Sequence, residues 1–351
     1  MKPLEGNDVQ GLIDMTLAYY RFQYLAAAVE FDLFTLLARQ PGLSKQELAT
    51  RLELRETPIR TLLLCLGSVG LVRSEGDRYF NSPLADRYLT KDRPDNFLAR
   101  VRMGRVLTYH GMGSFYESLK ANTNVGLQHV PGKGPTLYAR IGEDPALQKV
   151  FHEFMASFSR QHTILSTIDL TGCERLLDVG GGAEAVNAIA LATRWPNLRI
   201  TLLDLPPVAA AARLRVEASG LSGRIEVVGM DCLKQEFPTG FDAVFYAHFL
   251  GIFSLEKQCD LVAKGARAVK PKGRLLVVGA VQSEGESDGW HAAWLSAYFL
   301  TIVNGEGCVL SWREMQKFYG EAGFDDLHQT ATSEGDAFAI TTVVQGVRRA
   351  S

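Results

Sequence analysis

The stretch Leu176-Leu177-Asp178-Val179-Gly180-Gly181-Gly182, answered about twenty residues later by Ile200-Thr201-Leu202-Leu203-Asp204, constrains this chain more than any other feature. An apolar run that ends in glycines and opens a helical pattern, followed by a second apolar run that ends in an acid, reads as a strand-loop-helix-strand cradle for a nucleoside. Glycines let the backbone approach a ligand closely, and a carboxylate at the end of the second strand can take two ribose hydroxyls.

The loop sits inside an ordered series, which separates it from a chance glycine turn. Residues 173–179 read as a strand, 185–194 as an apolar helix, 198–203 as a second strand and 206–219 as an Ala-rich helix. A third strand over 224–228 precedes Asp231, a fourth covers 241–248, a helix 255–269, and a fifth strand 273–278. Such alternation gives a parallel sheet with helices on both faces and ligands at the carboxyl ends of the strands, here near Gly180, Asp204, Asp231 and His248. Ala185 stands where a dinucleotide fingerprint carries its third glycine, and the lysine and Ser/Thr of a phosphate loop are missing. With no basic residue between Gly180 and Arg194, the pattern favours a nucleoside without phosphate.

Composition sets the class. The length predicts two domains, and 46% apolar residues suffice for sizeable cores. A formal net charge of -2 offers no electrostatic case for nucleic acid or an anionic membrane. Cys65, Cys173, Cys232, Cys259 and Cys308 are scattered, odd in number and without CxxC spacing, so neither a disulfide framework nor a metal site is expected. Residues 1–10 lack a signal pattern and no apolar run approaches a membrane span, which makes the cytoplasm the expected address.

The first half is organised differently. Residues 11–40 read as amphipathic helices broken at Pro41-Gly42, Ser44 with Glu47 forms a capping box, and a second helix covers 57–69. A hairpin-like turn at Glu75-Gly76-Asp77 completes a winged-helix pattern. Its charge argues against a DNA reader. Between Leu43 and Arg93 acids nearly match the basic residues, and the second helix is mostly apolar over Thr61–Leu66 with Arg60 alone to reach a groove. Packing against a partner suits it better. Residues 96–168 link the halves, with an ordered glycine-rich loop over 122–135, and the domain boundary is expected near Asp169. Two last strands, over 325–332 and 338–347, are expected to close the sheet as an antiparallel pair.

Several segments together, Leu176–Gly182, Thr201–Val208, Gly229–Asp231, Val269–Val278, Gly305-Glu306 and Ser311–Phe324, resemble the S-adenosylmethionine-dependent O-methyltransferases of the acetylserotonin and caffeate type. The resemblance covers nearly the whole chain. It implies an α/β fold: a Rossmann-like methyltransferase sheet over 169–351, behind a mostly helical winged-helix dimerisation and substrate-lid domain over 1–168. It implies S-adenosylmethionine as cofactor, a small-molecule acceptor and an intertwined homodimer, with no nucleic acid and no membrane as partner. Asp204 and Leu205 would hold the ribose, Met230 and Asp231 would flank the adenine, and Asp178, Gly180 and Gly182 would form the loop beneath the cofactor. Met155 and Ser159, in Phe151–Ser159, would touch the methionine end. Glu184 replaces a glycine usual in the family; it would either meet the cofactor's amino-acid end or face solvent at the helix start.

One departure bears on the chemistry. Where the family carries the histidine that deprotonates the acceptor hydroxyl, this chain reads Leu250-Gly251-Ile252-Phe253, so the base position is Gly251. General-base help is worth roughly two to four orders of magnitude. Candidate substitutes are His248, three residues earlier at the methyl-transfer edge, and His291, which shares a helical face with Trp294 and Tyr298. Glu306 matches the acid that supports the histidine in relatives. Trp294, Tyr298 and Phe253 are candidate acceptor-lining residues. The expected activity is methylation of a natural product at oxygen, carbon or nitrogen, carbon and nitrogen needing the lost histidine least. The alternatives are a family member with hydroxylase, decarboxylase or pericyclase chemistry, and a ligand-binding pseudoenzyme.

Overall fold

Strands in which nearly every residue is apolar are stable only where helices cover both faces of a sheet. That is where Arg175–Val179 lies in the computed structural model, which describes residues 8–161, 163–282, 290–331 and 342–350. The sheet has seven strands, in the order Ile225–Gly229, Arg199–Asp204, Arg175–Val179, Phe241–Ala247, Val269–Gly279, Thr342–Arg348 and Phe324–Ala331. The first five are parallel, with Leu177 opposite both Thr201 and Val244. Thr342–Arg348 runs antiparallel to both of its neighbours, so the antiparallel closing pair expected from sequence is present. Residues 332 and 338–341 of the expected final strands lie outside the described residues.

Alternation sorts the side chains into two cores. Leu177, Val179, Val244, Tyr246, Leu275 and Val277 pack against Leu261 and Val262 of the helix Leu255–Ala268. On the other face Leu176, Leu202, Ala243, Phe245 and Leu276 meet Ala188 and Leu191 of Val186–Arg194 and Ala212 and Val216 of Pro206–Ala218. The first of these helices begins one residue later than expected. Ala185 sits in the left-handed region at φ 48°, a conformation that costs a non-glycine residue about 1–2 kcal/mol, and serves as the N-cap. The fifth strand starts at Val269 instead of Gly273: Val269 pairs with Phe241 and Arg274 with Ala243, and residues 270–273 bulge between these two pairings.

Packing divides the chain between Tyr109 and His110, well before the boundary near Asp169 expected from sequence. Residues 110–168 belong with the sheet. Gly111 lies against Ile302, and Gly126 against Thr301 and the Gly111 carbonyl, so tightly that a Cβ at either position would overlap its neighbours. The helix Pro145–Gln161 likewise packs on Val186–Arg194. These contacts tie the segment to the larger unit.

The smaller unit is a winged helix. Helices Val9–Thr16, Ala18–Glu30 and Leu33–Arg39 precede Lys45–Arg51, whose N-cap Ser44 forms the expected capping box with Glu47. Glu56–Ser68 buries Ile59, Leu62, Leu63 and Leu66. The hairpin Val72–Glu75 with Arg78–Asn81 adds Leu43–Ser44 as a third strand. Arg39, Lys45 and Arg78 each pair with an acid, Asp92, Glu56 and Glu47 respectively. Helix Val9–Thr16 buries none of its residues and exposes Val9, Leu12, Ile13 and Met15. No helix among the described residues is long and apolar enough to cross a membrane.

Candidate active site

The carboxyl ends of four parallel strands converge on the glycine loop. Gly180 adopts φ 76° and donates its amide to the Leu203 carbonyl at 2.8 Å. A Cβ there would stand 2.2 Å from the Phe249 ring, so only glycine fits. Asp204 closes the cradle: its two carboxylate oxygens accept the amides of Gly182 and Leu205, each at 2.8 Å. Each oxygen keeps capacity for a further donor, as two ribose hydroxyls require. Burial raises the Asp204 carboxyl above its ordinary range, and the two amides pull the other way.

Asp178 lies beneath the loop. It is fully buried, and neither of its oxygens has a hydrogen-bond partner among the described residues. Burial, with the Asp204 charge adding to it, pushes its pKa up to about 7. A buried carboxyl raised further by a neighbouring carboxylate makes a site that a cation would relieve. This surrounding fits a cofactor carrying a sulfonium and an ammonium, and fits a pyrophosphate poorly.

The segment after Gly229 is a wrapped turn. Met230 is buried and continues the ladder by donating its amide to the Asp204 carbonyl at 2.8 Å. Asp231 accepts the Leu233 amide at 3.1 Å and pairs with Lys234 at 3.0 Å. Burial would raise the Asp231 carboxyl, but Lys234 and the amide donors outweigh it and leave it below the ordinary range. Leu205 is exposed at the mouth. At the opposite end Glu184 neither stands free nor faces a helix dipole alone; Arg215 grips it with Nε at 2.8 Å and a second nitrogen at 3.1 Å. His152 joins this cluster. Burial lowers its pKa, the Glu184 charge opposes that, and Arg215 adds to it. Met155 is half-buried one turn along the same helix, while the side chain of Ser159 lies outside the described residues.

The segment around Gly251 is a closed backbone crossing. Leu250–Ile252 forms one 3₁₀ turn. Asn304 donates to the Ile252 carbonyl, and the buried Gln258 donates to the Phe253 and Cys308 carbonyls at 2.9 and 3.1 Å. A Cβ on Gly251 would meet Phe299 at 3.3 Å and the Cys308 carbonyl at 3.5 Å. Glu306 is held by Lys257 at 2.5 Å. Phe253 is half-buried and packs edge-on to Phe249, with ring centroids 5.1 Å apart.

Residues 116–325 match the family model described as the O-methyltransferase domain, and residues 13–91 match the O-methyltransferase dimerisation domain. The chain belongs to the O-methyltransferase family. It is similar to the L-tyrosine C(3)-methyltransferase of Streptomyces lavendulae, 36% identical over 91% of this chain and 87% of that one. The 3-hydroxy-5-methyl-1-naphthoate 3-O-methyltransferase of Streptomyces sahachiroi is 29% identical over 82% of each chain. Among solved structures, the apo form of the S-adenosylmethionine-dependent methyltransferase SibL matches at TM-score 0.82 and 32% identity, covering 98% of this chain and all of that one. Human N-acetylserotonin methyltransferase with S-adenosylmethionine matches in fold at TM-score 0.81 and 22% identity, over the whole of both chains. The protein is accordingly a methyltransferase of this family, with S-adenosylmethionine as its cofactor.

Of the residues singled out in the sequence of this methyltransferase, Asp178, Gly180, Gly182, Asp204, Leu205, Met230 and Asp231 come together around the loop. His248 sits at the end of Phe241–Ala247 with φ 53°, its amide bonded to the Val278 carbonyl at 2.7 Å. Trp294 and Tyr298 are half-buried on Trp290–Tyr298; the side chain of His291, on the same helix, lies outside the described residues. Three residues near the site escaped the sequence reading. Tyr138 is close enough to Asp204 to feel its charge, and burial with that charge raises its phenol. Tyr138 in turn adds to the burial that raises Tyr298, so Tyr138 lies within electrostatic reach of both Asp204 and Tyr298. His152 and Arg215 are the other two, and no short-range pattern joins either to Glu184.

Proposed function

We propose that this methyltransferase places the methyl group on a ring carbon of a hydroxylated aromatic small molecule, working as a homodimer in the cytoplasm. The observation that carries the reading is Gly251: the family's base position holds no side chain, and Phe299 and the Cys308 carbonyl crowd the space a histidine would enter. The similarity to a tyrosine C(3)-methyltransferase supports it. When bound, the cofactor supplies an electrophilic methyl on sulfur. Asp204 holds the ribose, Met230 and Asp231 flank the adenine, Asp178 and the glycine loop lie beneath, and Met155, with Ser159 as the second candidate, serves the methionine end, where Arg215 keeps Glu184 oriented. The acceptor ring rests among Trp294, Tyr298 and Phe253. Its phenol oxygen feeds electrons to the neighbouring carbon as the carbon–methyl bond forms and the sulfur–methyl bond breaks. His248 takes the proton, His291 being the other candidate for that role; Glu306 keeps the Gly251 turn in place through Lys257.

The exposed apolar face of Val9–Thr16 and the match to a dimerisation domain support a two-fold assembly without nucleic acid or membrane. The five free cysteines suit a reducing compartment. Functionally, residues 1–168 act as the dimerisation and lid part and 169–351 as the cofactor-binding part, although packing places 110–168 with the latter. The test is incubation of the enzyme with S-adenosylmethionine and L-tyrosine or simple phenols, followed by mass and NMR analysis. A ring-methylated product with a free hydroxyl is expected. An O-methyl ether as sole product refutes ring methylation, and acceptor loss without S-adenosylhomocysteine refutes methyl transfer altogether.

A further inference from the structure

We propose that Lys264 is a positioning residue for the cofactor: a buried ammonium that ties the adenine-side turn to the helix Leu255–Ala268, so that Met230 and Asp231 are set before the cofactor arrives. The inference rests on the reading that these two residues flank the adenine. Lys264 is 5% exposed, and its Nζ reaches three acceptors, the Cys232 carbonyl at 3.0 Å, the Leu233 carbonyl at 3.1 Å and Asp260 Oδ2 at 3.2 Å. An ammonium has three donors, so every one is used.

Lys264 reaches the turn because its helix runs close to the sheet. At Gly265 a Cβ would stand 2.5 Å from the Tyr246 hydroxyl, which itself donates to the Leu261 carbonyl at 2.6 Å. The turn is tied at both ends. In front, the Met230 amide is bonded to the Asp204 carbonyl, and the Asp231 carbonyl accepts the Lys234 and Gln235 amides, both at 3.0 Å. Behind, the carbonyls of residues 232 and 233 meet no backbone amide among the described residues, and the ammonium meets both. An apolar side chain would fill the same volume with less desolvation. What the lysine adds is a fixed orientation of two consecutive peptides, and with it the placement of the residues just before them. That lowers the ordering cost of binding.

The test is titration calorimetry with S-adenosylhomocysteine and with adenosine. Lys264→Met is expected to raise both dissociation constants about tenfold, while acceptor KM and kcat at saturating S-adenosylmethionine stay within about twofold. Lys264→Arg, which keeps charge and donors, is expected to return most of the affinity. Met230→Ala runs in parallel as the control on adenine placement. Weakened binding in Met230→Ala with wild-type affinity in Lys264→Met overturns the proposal and leaves the site standing. Unchanged affinity in both overturns the placement of the adenine, and the proposal with it. If Lys264→Met does not fold, hydrogen exchange of the unmutated, cofactor-free enzyme decides: slow exchange at Leu233, Lys234 and Gln235 is expected, and exchange at the rate of an open loop overturns the preset turn.

Discussion

The two ends of this active site are held by different means. At the cofactor end the main chain does the holding: the amides of Gly180, Gly182 and Leu205 make the decisive bonds, and glycine is required at position 180 because a Cβ would strike the Phe249 ring. At the acceptor end side chains do it, with Asn304, Gln258 and the Lys257–Glu306 pair pinning a turn whose central residue is Gly251. Backbone geometry survives most substitutions, whereas a site made of side chains can change its chemistry one residue at a time. On the proposed reading, this is how the chain keeps a cofactor cradle with Gly251 at the base position.

That contrast can be broken by experiment. The largest effect is expected at the acceptor end. His248→Ala should lower kcat by about two orders of magnitude with the S-adenosylhomocysteine affinity within about twofold; retention of most activity would mean that the acceptor arrives already nucleophilic, and a pH profile following the acceptor's own pKa would identify that case. Next comes Asp204→Ala, which removes the ribose acceptor and leaves the Gly182 and Leu205 amides unpaired. Calorimetry should register a loss of about 1.5–3 kcal/mol in S-adenosylmethionine binding, and unchanged affinity would remove the central argument about the cradle.

Two smaller effects sharpen the comparison. In Gly251→His the new Cβ comes within 3.3 Å of the Phe299 edge, which must give by a few tenths of an ångström, so a stability loss of about 1–3 kcal/mol is expected in chemical denaturation. Little O-methyl product should form until Lys257→Ala also frees Glu306; abundant ether from Gly251→His alone would mean that the old geometry persists. The last test uses Asp178. Its folded-state pKa is raised to about 7, so between its ordinary value of about 4 and about 7 the unfolded chain sheds the proton while the native protein keeps it. Stability therefore falls as pH rises through that window and levels off above it. The thermal midpoint of cofactor-free enzyme should drop between pH 5 and 7.5, and Asp178→Asn should flatten part of that slope. Identical slopes would place the titrating group elsewhere.

The legibility of the sequence follows the same division. The parallel strands were readable because apolar runs, glycines and terminal acids repeat at short range, and the Ser44–Glu47 capping box is a local signal. Tyr138 beside Asp204, or Arg215 on Glu184, was not readable, since each pair is brought together only by the way its helices pack. The packing division at Tyr109 and His110 was not readable for the same reason: an amphipathic helix declares that it has an apolar face without naming the neighbour, and Gly111 and Gly126 meeting Ile302 and Thr301 is a tertiary fact. Ala185 in the left-handed region gave no warning either, because alanine elsewhere is the best helix former.

The sheet order carries a consequence for biosynthesis. Thr342–Arg348 is inserted between Val269–Gly279 and Phe324–Ala331, although both neighbours are made before it. Until Arg348 has been synthesised, Val269–Gly279 is an open edge and Phe324–Ala331 has no strand to pair with. A nascent chain paused in that interval presents unpaired backbone donors and acceptors to its neighbours on the polysome, so the last strand governs when the chain stops being prone to aggregate.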